Sequence, residues 1–317
     1  MSAMHYYCAY GLGIRSALSL PELTSGVASK TESGEVVIRL GPVGSPPAEL
    51  DPAGFGFWAA GDEACHFLEK VGAFLVRGGR EIVIDPAPGV EERLLRLSLL
   101  GPAFGLLLHQ RGFLVMHGSV VARGDRAVAI LGKNGWGKST VAGALYAKGY
   151  DLVADDVAAV QLDQDGASVL PGFPQVKLWP EAATLLGEIP ERLPLLHPNF
   201  DKRAWRASRG FSLEPRRLGY IYVLATGPAP AIAPLKPREA CIELLGHWYG
   251  HRFGEGLLQG NSAAIHLHQC AELASRVSTH RLYRSGGSAT LLHLADRIDQ
   301  DLRGSLGESA GMMSPAR

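Results

Sequence analysis

Gly132-Lys133-Asn134-Gly135-Trp136-Gly137-Lys138-Ser139 reads G-x-x-x-x-G-K-S, the complete spacing of a phosphate-binding P-loop. Its glycines let backbone N–H groups curl around phosphate oxygens without a Cβ in the way. The N-terminus of the helix that follows adds partial positive charge at the same point. Lys138 is placed to reach the β- and γ-phosphates, and the Ser139 hydroxyl to ligate Mg²⁺. The nucleotide contacts expected from this stretch are Gly132, Asn134, Gly135, Trp136, Gly137, Lys138, Ser139 and Thr140.

The loop works only between a strand and a helix, and the sequence supplies both. Ala127-Val128-Ala129-Ile130-Leu131 reads as a strand into it, and Ser139 to Lys148 as a helix out of it. A second strand, Tyr150 to Ala154, then ends in Asp155-Asp156. Strand, crossover helix and strand make a parallel unit, so the acidic pair should open at the same sheet edge as the loop. Phosphoryl transfer needs a carboxylate on the metal and another group to take the acceptor's proton. Asp155 and Asp156 can divide those roles; the sequence leaves open which takes which. Ser139, Asp155 and Asp156 are the metal candidates.

His117 lies on the strand before the loop strand. Lys177, Lys202 and Arg203 are cations able to neutralise phosphate in the transition state. His247 and His251 stand at i, i+4, but with no H-E-x-x-H glutamate and no third ligand in register. His266 and His268 alternate as on one strand face. No metal beyond Mg²⁺ is therefore assigned.

The frame around these residues is α/β. Residues 1–89 are β-rich, with strands expected at His5–Tyr10, Val36–Leu40 and Phe55–Ala59 and a hairpin of Phe74–Arg77 with Glu81–Ile84. They read as a smaller accessory or recognition domain. Residues 90–303 read as the P-loop domain, opening with a helical run to Gln110 that breaks at Gly101-Pro102. Phe113–Ala122 pairs with the loop strand across a turn at Arg123-Gly124-Asp125. Pro171 to Pro180 reads as a loop with an apolar core. Residues 304–317 are small and polar and read as a disordered tail.

Composition excludes several classes. Lys plus Arg and Asp plus Glu number 31 each, so bulk charge gives no reason to expect nucleic acid or an anionic membrane. The apolar run Leu97–Leu108 is too short to span a bilayer and is broken by Pro102. Cys8, Cys65, Cys241 and Cys270 form no C-x-x-C pair and fit reduced thiols. With no signal-like N-terminus, a cytoplasmic protein is expected.

Three ordered blocks, Met116-His117-Gly118-Ser119-Val120-Val121, the P-loop, and Leu152-Val153-Ala154-Asp155-Asp156, resemble the catalytic domain of HPr kinase/phosphorylase, whose core is shared with phosphoenolpyruvate carboxykinase. The family's later glycine-rich signature is missing, and Pro171–Pro180 stands in its place. The layout is more similar to the shorter HPr-kinase-like proteins of ribosomal-peptide pathways. Those share the look of Tyr7–Leu12, Leu18–Leu23, Lys177–Pro180 and Asp201–Arg203. The resemblance implies an ATP- and Mg²⁺-dependent serine kinase acting on a peptide or small protein, a lasso-peptide precursor in the sharpest form. It implies Gly132, Gly137, Lys138 and Ser139 at the nucleotide and metal, Asp155 and Asp156 as base and metal ligand, His117 near the transferred phosphate, and Lys177 and Arg203 in catalysis. Homo-oligomerisation stays open. The competing readings are a transport-type ATPase, which lacks its Leu-Ser-Gly-Gly-Gln signature here, and a catalytically silent nucleotide sensor.

Overall fold

The computed structural model describes residues 4–26, 34–44, 50–52, 54–287 and 290–311. The first half of the N-terminal region contributes β1 (His5–Ala9), β2 (Leu12–Ser16), β3 (Thr24–Ser25) and β4 (Glu35–Leu40). Its second half contributes β5 (Phe55–Ala60), β6 (Glu63–Leu68), β7 (Gly72–Arg77) and β8 (Glu81–Pro86). They form one eight-stranded sheet in the order β3-β1-β2-β4-β8-β7-β6-β5. The expected strands and the β7–β8 hairpin are present. Three more, β2, β3 and β6, complete the sheet; β3 is only two residues long, and Ser16 in β2 and His66 in β6 put polar residues where the apolar alternation that marks a strand would continue.

The helical run that follows is α1 (Glu92–Ser98), a π-helical turn (Leu99–Ala103) and α2 (Phe104–Gln110). Pro102 sits inside the π turn, where the missing N–H removes a regular helical hydrogen bond. The expected break at Gly101-Pro102 is thus a widened turn within a continuous helix.

β9 (Leu114–Arg123) and β10 (Arg126–Leu131) pair antiparallel, and α3 (Lys138–Ala147) leads to β11 (Asp151–Asp163). β11 pairs antiparallel with β9, so β10 and β11 run parallel with β9 between them. β12 (Gly166–Val169) continues the sheet, β16 (Arg216–Thr226) pairs with both β12 and β10, and β18 (Ser278–Arg284) and β17 (Ala231–Pro234) extend it. β13 (Gln175–Leu178), β14 (Leu195–His197) and β15 (Phe200–Arg206) make a separate three-stranded sheet, with α4 (Pro180–Leu185) after β13.

Period-two alternation puts a core on each face of the β9–β10–β16 region. Val120, Ala122, Ala129, Leu131 and Val223 face a large cluster shared with the N-terminal sheet and α2. Val121, Val128, Ile130, Tyr222 and Leu224 face α3 and α7 (Thr290–Gly311). α3 is therefore buried almost all round. α5 (Pro237–Gly246), a 3₁₀ segment (Tyr249–Leu257) and α6 (Ser262–Arg276) cover the first face.

Four expectations are corrected. The acidic pair does not end its strand: β11 runs on to Asp163 with Asp155 and Asp156 inside it. The stretch Pro171–Pro180 is not all loop, because Gln175–Leu178 pairs with β15. His266 and His268 lie on α6, not on a strand, since His266, Cys270, Leu273 and Ala274 repeat at i, i+4, i+7 and i+8 on its buried face. The last helix continues past residue 303 to Gly311, since no proline interrupts it before Pro315; residues 312–317 of the expected tail lie outside the described residues. Among the described residues no helix is long and apolar enough to cross a membrane.

Candidate functional site

At the end of β10 the chain turns through the glycines into α3. Gly137 has φ 96, and a Cβ there would lie 2.4 Å from Leu291 Cδ1. No L-residue side chain fits both conditions, which fixes glycine before Lys138. The Lys138 amine turns back into the loop and donates to the carbonyl oxygens of Gly132 at 2.8 Å and Lys133 at 3.1 Å. Burial pushes its pKa down to about 8, and the nearby charges of Asp155 and Asp156 offset part of that. Phosphate oxygens entering the loop would meet this amine and the unpaired N–H groups at the start of α3.

The acidic pair sits at the level of the loop by register. Ser119 and Gly118 of β9 pair with Ile130 and Leu131 on one side, and with Asp155 and Asp156 on the other. Gly118 allows this close approach: a Cβ on it would fall 2.5 Å from Leu131 Cδ2. The two carboxylates then part. Asp155 is buried, and its Oδ1 accepts from the hydroxyls of Ser119 at 2.6 Å and Ser139 at 2.9 Å. Its Oδ2 accepts from the Lys177 backbone N–H at 2.8 Å. Asp156 adopts φ 72, a left-handed conformation uncommon outside glycine that redirects the side chain within the strand. Its Oδ2 accepts from Lys177 Nζ at 2.7 Å, and its Oδ1 lies 3.2 Å from His117 Nδ1. Burial alone would raise the Asp156 pKa, but Lys177, His117 and Arg252 together hold it well below the usual carboxylate range.

His117 Nδ1 also donates to the Asp156 carbonyl oxygen at 3.1 Å, and Nε2 lies 2.7 Å from Asn134 Oδ1. The ring therefore bridges the P-loop tip to Asp156.

These groups line a cleft of about 450 Å³. It brings together His117, Asn134, Gly135, Gly137, Lys138, Ser139, Thr140, Asp155, Asp156 and Lys177 from the sequence-derived set. Lys202 lines it too, with its amine 5.4 Å from the Trp179 ring centre. Arg203 does not line it. Neighbours on β15 face opposite sides, and Arg203 pairs with Asp201 and reaches the Leu193 carbonyl oxygen instead. Trp136 packs at the loop tip against the α3–α7 core rather than lining the cleft, with Lys133 Nζ over its ring. Gly132 holds the Lys138 amine through its carbonyl.

His247 and His251 form no metal pair. α5 ends at Gly246; burial pushes the His247 pKa down to about 4, and His251 Nε2 bonds the Leu245 carbonyl. Among the described residues no cluster of three His, Cys, Asp or Glu side chains could hold a metal. What the cleft does offer a hard cation is the Asp155 carboxylate with the Ser139 hydroxyl on it. That oxygen set suits Mg²⁺, which completes its shell with phosphate oxygens and water.

Four contributors escape sequence reading. Ser119 is a hydroxyl two residues after His117 in β9, with apolar neighbours on its C-terminal side. Arg252 and Trp179 line the cleft, and no local pattern marks them. Tyr249 is buried with an unpartnered hydroxyl, and the Arg252 guanidinium lies 3.8 Å from its ring centre. A Cβ on Gly101 would lie 3.3 Å from that hydroxyl, 3.7 Å from Asp156 Oδ2 and 3.9 Å from Lys177 Nζ. The π turn thus passes directly beneath the acidic group.

No family model matches the chain, and no curated protein matches it. Among solved structures it is similar to the Hpr(Ser) kinase/phosphatase from Coxiella burnetii. The match covers 64% of this chain and 99% of that one, at 12% identity and a TM-score of 0.33. At that score the chemistry rests on the residues themselves.

Proposed function

We propose that the protein is a Mg·ATP-dependent kinase of the HPr-kinase type that phosphorylates a serine hydroxyl on a peptide or small protein, with a lasso-peptide precursor as the sharpest candidate. The observation that carries this reading is the parting of the two carboxylates beside the P-loop. Asp155 shares its Oδ1 with the P-loop serine hydroxyl and so belongs to the metal side. Asp156 stands on the other side, between Lys177 and His117. A silent sensor has no use for that second group, and a transport-type ATPase, which could use it on water, lacks its Leu-Ser-Gly-Gly-Gln signature here.

Mg²⁺, held by Ser139 and Asp155 with the phosphates, would neutralise phosphate charge. Lys138 would bind the β- and γ-phosphates. The acceptor serine would approach Asp156, its oxygen forming the new bond to Pγ while the bond from Pγ to the β–γ bridging oxygen breaks and ADP leaves. Asp156 takes the serine proton. Its depressed pKa keeps it ionised at neutral pH, and Lys177 holds it in place. Lys202 and Arg252, on the cleft wall, would counter charge on the moving phosphoryl group.

The test is incubation of the purified protein with Mg²⁺, γ-labelled ATP and a panel of serine-containing peptides that includes a lasso-type precursor. Label should appear on serine. Steady release of inorganic phosphate with no labelled peptide would instead place the protein among ATPases.

A further inference from the structure

A second cavity, of about 730 Å³, opens beside the P-loop cleft and shares Lys177 with it. It lies where the N-terminal sheet region meets the P-loop domain. Its floor is apolar: Leu97 comes from α1, Leu100 from the π turn, and Leu195 and Leu196 from β14. Its size falls within the ~300–1,000 Å³ typical of ligand pockets.

Charge on its walls is unequal. Arg93, Arg96, Lys177 and Arg206 stand against Glu22 and Glu188. Both carboxylates are already engaged, Glu22 by Arg96 Nε at 2.8 Å and Glu188 by the Trp205 indole N–H at 2.8 Å. Arg206 is exposed, donates to the Pro21 carbonyl oxygen at 2.6 Å, and makes no ion pair among the described residues. Among the described residues Arg93 pairs only with the exposed Glu91. The groove therefore offers free positive charge beside an aliphatic floor.

We propose that this groove binds the acceptor as an extended peptide, with aliphatic side chains on the leucine floor and an acidic residue meeting Arg206 and Arg93. The inference rests on the kinase reading above. Continuity through Lys177 supplies the geometry: its amine holds Asp156, so a chain lying along the groove delivers a serine hydroxyl to that carboxylate. The groove also gives the N-terminal region a function, because Pro21 and Glu22 close one side of it.

The experiment is a library of serine peptides with single flanking positions fixed as Leu, Asp or Lys, phosphorylated by the full-length native protein and by Arg206→Glu and Leu196→Asp. Peptides carrying Asp and Leu should be labelled about tenfold faster than those carrying Lys. Arg206→Glu should invert the charge preference, which a merely structural role would not do. Leu196→Asp should raise the peptide KM about tenfold and leave the ATP KM unchanged. Labelling without flanking preference, or an Arg206→Glu protein that still prefers Asp, overturns the groove while leaving the kinase reading intact. ATP binding with no peptide labelled at all removes the kinase reading, and the groove with it.

Discussion

The P-loop wall of the cleft comes from one unbroken stretch, residues 132–140, whereas the facing wall is assembled from Lys177, Trp179, Lys202 and Arg252 on separate elements. The first wall presents backbone and one lysine, so its geometry is local. The second binds with side chains brought together by tertiary packing, so its geometry depends on the whole fold. Phosphate recognition can be written in a motif. The facing wall has no such motif.

The largest effect should come from the group between the walls. Asp156→Asn keeps the shape but removes the base, and single-turnover transfer to peptide should fall by about 10²–10⁴. A rate within twofold of native would assign proton removal elsewhere.

On the P-loop wall, Lys138 gives a pH signature. Its pKa falls to about 8 in the folded state, below its unfolded value, so its charge costs stability below pH 8. Between pH 8 and its unfolded pKa Lys138 binds more protons in the unfolded chain, and its own contribution to stability without nucleotide should rise by up to about 3 kcal/mol. Urea melts across that range check it as the difference between native protein and Lys138→Met, because burial pushes the Cys65 and Cys270 thiols up to about 11 and about 12 and both proteins lose stability from them as pH rises. Phosphate should restore the charge, so ATP binding should take up a proton above pH 8 and weaken as pH rises further. Calorimetry in buffers of different ionisation enthalpy measures that uptake.

On the facing wall the contrast between neighbours on β15 is sharp. Lys202→Ala should slow transfer about tenfold, equivalent to ~1.4 kcal/mol. Arg203→Ala should leave saturated transfer within about twofold, because its side chain lies off the cleft. Equal losses would put both side chains at the phosphates.

The smallest effect concerns Tyr249. Its hydroxyl is buried without a partner. Tyr249→Phe should therefore stabilise the protein by about 1 kcal/mol, seen as a higher urea midpoint at unchanged slope. A loss of stability would show that the hydroxyl is satisfied.

What the sequence could reveal follows the same division. The loop, its flanking strand and helix, and the acidic pair at the same level were readable because glycine spacing and apolar alternation are local. The parallel relation of β10 and β11 followed from the crossover through α3, although β9 lies between them. Which carboxylate faces the metal was not readable. It depends on the left-handed φ at Asp156, which turns adjacent residues into different surroundings. The strand status of Gln175–Leu178 was hidden between prolines, since only pairing with β15 makes it a strand. Arg203 and Lys202 look equivalent as cations in sequence, and only strand register separates them. Tyr249 and Arg252 reach the site because Phe253 of the same segment packs on Phe57 of β5, with ring centres 5.0 Å apart, a contact between distant parts of the chain.

The division of labour between the carboxylates is tested most directly by titrating Mg²⁺ in single-turnover transfer with native protein, Asp155→Asn and Asp156→Asn. Asp155→Asn should raise the half-saturating Mg²⁺ concentration by about 10–100-fold. Asp156→Asn should leave it where the native protein has it and lower only the plateau rate. A shift in Mg²⁺ requirement for Asp156→Asn, with none for Asp155→Asn, would contradict the assignment.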